Sequence, residues 1–103
     1  MRLGGFDIAL AKNSQVSKIY GNKSDVRERF RHRFECNPEY VAKLEKGGLV
    51  FSGKAKNNQS IMQFLELPGH PFFIGTQAHP EFSSRPLSPN PLYVNFVRAC
   101  LFK

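Results

Sequence analysis

Val26-Arg-Glu-Arg-Phe-Arg-His-Arg-Phe-Glu-Cys36, followed at once by Asn37-Pro38, decides how this chain is read. Arg27, Arg29, Arg31 and Arg33 fall on one parity, and Glu28, Phe30, His32 and Phe34 on the other. A period of two belongs to extended chain, in which successive side chains point to opposite faces. Residues 26–36 are therefore predicted as a strand or extended loop with its arginines on one face. Asn37 suits a helix N-cap and Pro38 the first helical position. Val41 and Leu44 follow at helical spacing, and Gly47-Gly48 supplies the stop. Extended chain feeding directly into a capped helix points to an α/β architecture.

Outward from this stretch, Leu3, Phe6, Ile8 and Leu10 make an apolar start of the kind found inside a domain. Residues 11–25 are polar, with one island at Ile19-Tyr20, and read as loop with a brief element. Downstream, Leu49–Phe51 and Ser60–Leu67 read as a hairpin around a polar turn, Lys54–Gln59. Pro68-Gly69-His70-Pro71 is a sharp break. Phe72–Gln77 reads as a short buried strand. Residues 78–91 carry four prolines and no periodicity. Asn90-Pro91 repeats the helix-start signal. Leu92, Val94, Phe96, Val97, Cys100 and Leu101 then predict a last helix with a wide apolar face. Phe64, Phe72, Phe73, Phe96 and Phe102 are expected in the core, and His70 is expected to be structural or solvated.

Composition limits the function classes. The chain has 103 residues, 41% of them apolar and ten of them Phe, which excludes an intrinsically disordered tail. One domain or part of one fits this length, and no stretch approaches the ~20 apolar residues of a membrane span. No signal peptide is evident, since Asp7 interrupts the first apolar residues. Two cysteines, Cys36 and Cys100, are too few for a disulfide framework or a zinc site, so a reduced, cytoplasmic protein is expected. Both cysteines are expected to be buried packing residues. The charge of +7 raises nucleic-acid binding. Glu28 and Glu35 bracket the arginine run, though, and no aromatic RNA-binding signature accompanies it, which speaks against a nucleic-acid partner.

The chemistry is concentrated in Gly75-Thr-Gln-Ala-His79-Pro80-Glu81-Phe82. A short apolar strand delivers a His, which can serve as general base near neutral pH. A carboxylate two residues on can hold its ring in one tautomer, the orienting role in a nucleophile–His–acid triad. An isolated H-x-E is more often a surface pair with no such role. Here the preceding strand and Pro80 between the two residues favour the functional reading.

Gly75-x-Gln77-x-His79-Pro80-Glu81 resembles the His–Glu end of the class I glutamine amidotransferases. Glu28-Arg-Phe-Arg-His-Arg-Phe-Glu35 resembles the E-R-H-R-H-R-[YF]-E stretch of the CTP synthase family. Met1-Arg-Leu-Gly4, His70-Pro-Phe-Phe73 and Pro80-Glu-Phe-x-Ser-Arg-Pro86 are similar to that family too, in order along the whole chain. This resemblance implies a flavodoxin-like α/β fold, of which residues 1–103 would be the C-terminal portion, with an incomplete sheet and flanking helices. It implies His79 as general base, Glu81 as its orienting partner, and Arg33 and Phe34 as residues that hold the substrate glutamine. A guanidinium fork suits the α-carboxylate of that substrate. It also implies a parent enzyme that aminates UTP to CTP in a separate synthetase domain, with ATP and Mg²⁺, as a homo-oligomer. No cofactor or metal is expected on this chain itself.

Two departures matter. Phe30 stands where the family has His. The family's nucleophilic cysteine sits on a G-x-C-x-G elbow upstream of M-R-L-G, and neither Cys36 nor Cys100 has such a setting. The isolated chain is therefore expected to be inactive, and poorly folded by itself because so short a chain buries little surface. A non-catalytic remnant that binds a partner or a full-length synthase is the alternative. A different class I amidotransferase, or a γ-glutamyl hydrolase relative, is a third possibility, against which the arginine-rich segment argues.

Overall fold

Strand pairing begins where the alternation is strictest. A computed structural model of the chain describes residues 2–32 and 34–101. Strand β2 (Asp25–His32) pairs antiparallel with β1 (Arg2–Leu10) along its whole length, from Arg2 opposite His32 to Ala9 opposite Asp25. The predicted parity holds: Glu28 and Phe30 are buried, while Arg27, Arg29 and Arg31 are exposed. Arg27 bonds Asp7 Oδ1 across the strand pair at 3.0 Å and Gly5 O at 2.9 Å. Both partners of that ion pair are largely exposed, so it adds at most about 1 kcal/mol. Burial of Phe30, worth roughly 1.5–3 kcal/mol over exposure, matters more.

Between β1 and β2 the chain makes α1 (Gln15–Ile19), one turn longer than a bare loop. A five-residue helix cannot stand alone. Ser14 caps it, its Oγ accepting from the Ser17 N–H at 3.1 Å. The buried Glu66 carboxylate accepts from the N–H groups of Gln15 and Val16, at 2.9 and 3.1 Å. A negative group at a helix start satisfies orphan donors and complements the dipole.

Helix α2 (Pro38–Lys46) is as predicted at both ends. Asn37 Oδ1 accepts from the Glu39 N–H at 3.0 Å, and Gly48 takes φ +104°, a conformation glycine adopts without strain. The hairpin is tighter than expected. Strands β3 (Val50–Ala55) and β4 (Asn58–Glu66) leave only Lys56 and Asn57 between them. Their register shifts between Val50 and Ala55 let β3 bend. The last strand, β5 (Ile74–Thr76), is shorter than the predicted Phe72–Gln77.

The sheet order is β2-β1-β3-β4-β5, and each of its ladders is antiparallel. The sheet curls until its two edges meet. Beyond β5, Gln77 N–H still donates to Gln63 O of β4 at 3.0 Å, yet Ala78 bridges Phe30 of β2 and His79 N–H donates to Arg29 O at 2.8 Å. Inside the curl lie Ile8, Leu10, Val16, Phe30, Phe64, Ala78 and Leu92.

Several expectations about packing fail. Helix α3 (Pro91–Leu101) buries only Leu92 of its apolar face; Phe96, Val97 and Leu101 are 51%, 53% and 70% exposed. Cys100 is exposed and Cys36 half-buried, so neither is a fully buried packing residue. Of the five phenylalanines expected in the core, Phe64 is buried and Phe72 is half-buried against Phe96. Phe73 and Phe96 are exposed, and Phe102 lies outside the described residues. α2 buries no side chain fully, and of its residues only Val41 is half-buried. The cause is common to these failures: an apolar stripe predicts a covered face, but the described residues do not cover it. His70 is exposed, as expected, with its ring against Phe73. Among the described residues no helix is long and apolar enough to cross a membrane.

Gly53 is where β3 and the core approach most closely. A Cβ there would stand 2.6 Å from Phe64 Cδ2 and 3.0 Å from Ile8 Cγ2. In a complete domain carrying this chain, Gly53→Ala is expected to destabilise the fold by about 1–3 kcal/mol, as overpacking does, read as a lower midpoint in urea or thermal unfolding.

Candidate active site

His79 is delivered by the chain that leaves β5. Its backbone is fixed first, by the Ala78–Phe30 bridge and the His79 N–H···O=C bond to Arg29. Pro80 then opens a single 3-10 turn, Pro80–Phe82, closed by Phe82 N–H to His79 O and Ser83 N–H to Pro80 O, each at 3.1 Å. That turn folds Glu81 back onto the imidazole. His79 Nδ1 and Glu81 Oε2 are 2.7 Å apart, and the Phe82 ring stacks on the His79 ring at 5.4 Å.

Electrostatics assign the proton. Glu81 is held below its ordinary value of 4.5, chiefly because the hydrogen bond from His79 favours its charged form. A carboxylate only accepts, so the Nδ1 facing Glu81 carries the hydrogen, and in the neutral ring that leaves the lone pair on Nε2. This is the tautomer a general base needs, with an acid placed to stabilise the imidazolium. Tyr93, on the first turn of α3, lies close enough to feel this pair; burial and then the Glu81 charge push its hydroxyl above 10.0. The pair is open to solvent, with side-chain exposures of 36% for His79 and 51% for Glu81.

Beneath the pair lies a polar cluster that the sequence reading missed. Glu28 is 3% exposed. Its Oε2 accepts from Tyr20 Oη at 2.6 Å and from Asn90 Nδ2 at 2.7 Å, and its Oε1 from Ser83 Oγ at 2.7 Å. Asn90 also caps α3, its Oδ1 accepting from the Leu92 N–H at 2.9 Å. Burial, with Glu28 second, raises the Tyr20 hydroxyl far above its ordinary 10.0. The signal was available, since Glu28 shares its parity with the buried Phe30.

The other expected site residues are not brought together in the same way. Arg33 lies outside the described residues. Phe34 is 82% exposed. Phe30, the departure from the family pattern, points into the core and packs edge-on against Phe6 and His32, at 5.9 and 5.7 Å. His32 Nε2 lies 3.3 Å from Glu35 Oε1. A cleft of about 300 Å³, lined by Cys36, Phe51, Gln63, Leu65, Gly75 and Gln77, runs beside the strand that leads to His79. Gln63, buried there, has no hydrogen-bond partner on its side-chain amide. Among the described residues, no three His, Cys, Asp or Glu side chains converge as a metal site would require.

Comparison with known proteins shows the family. The family model for class-I glutamine amidotransferases matches residues 3–99. The CTP synthase of Methanoregula boonei is 55% identical over 100 residues, 97% of this chain and 18% of that protein. That of Neorickettsia sennetsu is 47% identical over 103 residues, all of this chain and 19% of that protein. The chain thus spans under a fifth of the curated relatives it matches. A structure of the Trypanosoma brucei CTPS glutaminase domain with bound acivicin superposes with a TM-score of 0.92 at 37% identity, covering 100% of this chain and 40% of that one. The chain belongs to the class-I glutamine amidotransferases and is similar throughout its length to part of the CTP synthases.

Proposed function

We propose that this chain is the C-terminal portion of a glutaminase domain that supplies ammonia from glutamine to a CTP synthase. The observation that carries the reading is the His79–Glu81 pair, joined at 2.7 Å through Nδ1, in a chain of this family. In the reaction, His79 Nε2 takes the proton of a cysteine thiol, and the thiolate attacks the side-chain carbonyl of glutamine. His79 returns the proton to the departing ammonia, and the γ-glutamyl thioester left behind is hydrolysed. Glu81 keeps the ring oriented and stabilises its protonated state. Arg33 binds the α-carboxylate of glutamine, with Phe34 beside the substrate.

The nucleophile comes from another segment of the enzyme. Cys36 Sγ rests on Asn37 O at 3.9 Å and Cys100 is exposed on α3, and neither stands on a glycine elbow. By itself the 103-residue chain is therefore inactive on glutamine. Amination of UTP, with ATP and Mg²⁺, belongs to a synthetase domain of the same cytoplasmic, homo-oligomeric enzyme. The open apolar side of α3 favours a second reading, in which the chain docks without catalysis on a partner or a full-length synthase.

In a glutamine-dependent CTP synthase carrying this chain, His79→Ala is expected to cut glutamine-dependent CTP formation by about 10²–10⁴-fold, the usual worth of a general base, and to spare synthesis from added ammonia. Equal loss of both would refute the base assignment, and no loss of either would favour the docking reading. Arg33→Ala is expected to raise the KM for glutamine roughly 10- to 100-fold, as loss of a charge-assisted hydrogen bond does; an unchanged KM removes Arg33 from the site. The pairing also sets a pH dependence. Glu81 is depressed in the folded chain, so the pair is intact above 4.5 and is lost only as pH falls through a lower value. Carbon NMR of the Glu81 carboxyl is expected to titrate below 4.5, moving back up in His79→Ala.

A further inference from the structure

The His79–Glu81 pair is too exposed for apolar packing to hold it, so something else fixes its geometry. Three consecutive residues of β2 account for that. Phe30 bridges Ala78, Arg29 O takes the His79 N–H, and the Glu28 carboxylate takes the Ser83 hydroxyl just past Glu81. Glu28 reaches a fourth point, because its other oxygen takes Asn90 Nδ2 at the cap of α3, the helix whose first turn carries Tyr93. Asn90 Nδ2 also lies 3.0 Å from Ser83 Oγ, which closes the cluster.

We infer that Glu28 is a positioning residue for the His79–Glu81 pair, clamping the turn that carries Glu81 and the helix start that carries Tyr93. The inference rests on the glutaminase reading for its consequence in turnover, but not for its geometry. Burying a carboxylate costs several kcal/mol unless donors satisfy it; here three neutral donors from three separate segments converge on it. A carboxylate used only to fill the core would be replaced by an apolar side chain at no loss of order in the loop. This one spends its acceptors on the loop and the helix cap.

The arms can be separated. Tyr20 joins Glu28 to the end of α1, away from the pair, whereas Ser83 joins it to the turn. Glu28→Gln keeps the cluster satisfiable: the amide nitrogen can donate to Ser83 Oγ, whose own hydrogen turns to Pro80 O at 3.2 Å. Proton NMR of a whole glutaminase domain carrying this chain would follow the His79 Nδ1–H resonance, shifted downfield by its bond to Glu81, with thermal unfolding of each variant as the control for folding. The expected result is that Glu28→Ala and Ser83→Ala broaden or abolish this resonance, while Glu28→Gln and Tyr20→Phe retain it at a comparable loss of thermal stability.

In the intact synthase, Glu28→Ala is expected to lower glutamine-dependent kcat by up to about 10²-fold, the scale of a misplacement near 1 Å, with KM and ammonia-dependent synthesis unchanged. If Ser83→Ala and Tyr20→Phe affect the resonance alike, or if Glu28→Ala retains it in a folded chain, Glu28 is a core carboxylate only and the inference is overturned. If the resonance responds as expected but His79→Ala leaves glutamine-dependent turnover intact, the positioning stands and the glutaminase reading falls.

Discussion

A single backbone contact organises the molecule: the N–H of His79 donates to the carbonyl of Arg29 at 2.8 Å. It joins the chain leaving one edge of the sheet to the strand at the other edge. Without that closure β2 would be an open edge, its polar backbone unpaired on one side. With it, the sheet wraps around Phe30 and Phe64, and Ala78 becomes part of the core instead of loop. The His79 imidazole sits at the seam. Its backbone is thereby held as in a strand, while its side chain stays open to solvent.

Much of this was legible in the sequence, and for identifiable reasons. The alternation in β2 is unambiguous because two buried residues, Glu28 and Phe30, share a parity and three exposed arginines share the other. α2 was legible because Asn37-Pro38 and Gly47-Gly48 act within a few residues of where they stand. The pairing of His79 with Glu81 was legible because one turn is enough to bring residues i and i+2 together around Pro80.

What was not legible depends on long-range contact. Nothing near Glu28 in the chain says that its carboxyl will meet Ser83 and Asn90, 55 and 62 residues away. Nor does local pattern say whether an apolar helix face will be covered. Cys100, Phe96 and Val97 have the composition of a core stripe, yet they face outward because the described residues supply no partner surface. Phe30 shows the same limit from the opposite side. As a letter in a motif it stands where the family it resembles has a histidine, but its position in the pleat sends it inward.

The cap that Glu66 places on α1 has a consequence for the order of folding. The first two N–H groups of the helix donate to a side chain about fifty positions away, beyond what the local Ser14 cap supplies. β4 must be in register before α1 has an anion at its start. A nascent chain lengthening from its N-terminus would make the residues of α1 long before it could order them. The segment between β1 and β2 is thus a late-forming part of the fold despite its early place in the chain, and its closure entropy is recovered only when the hairpin arrives.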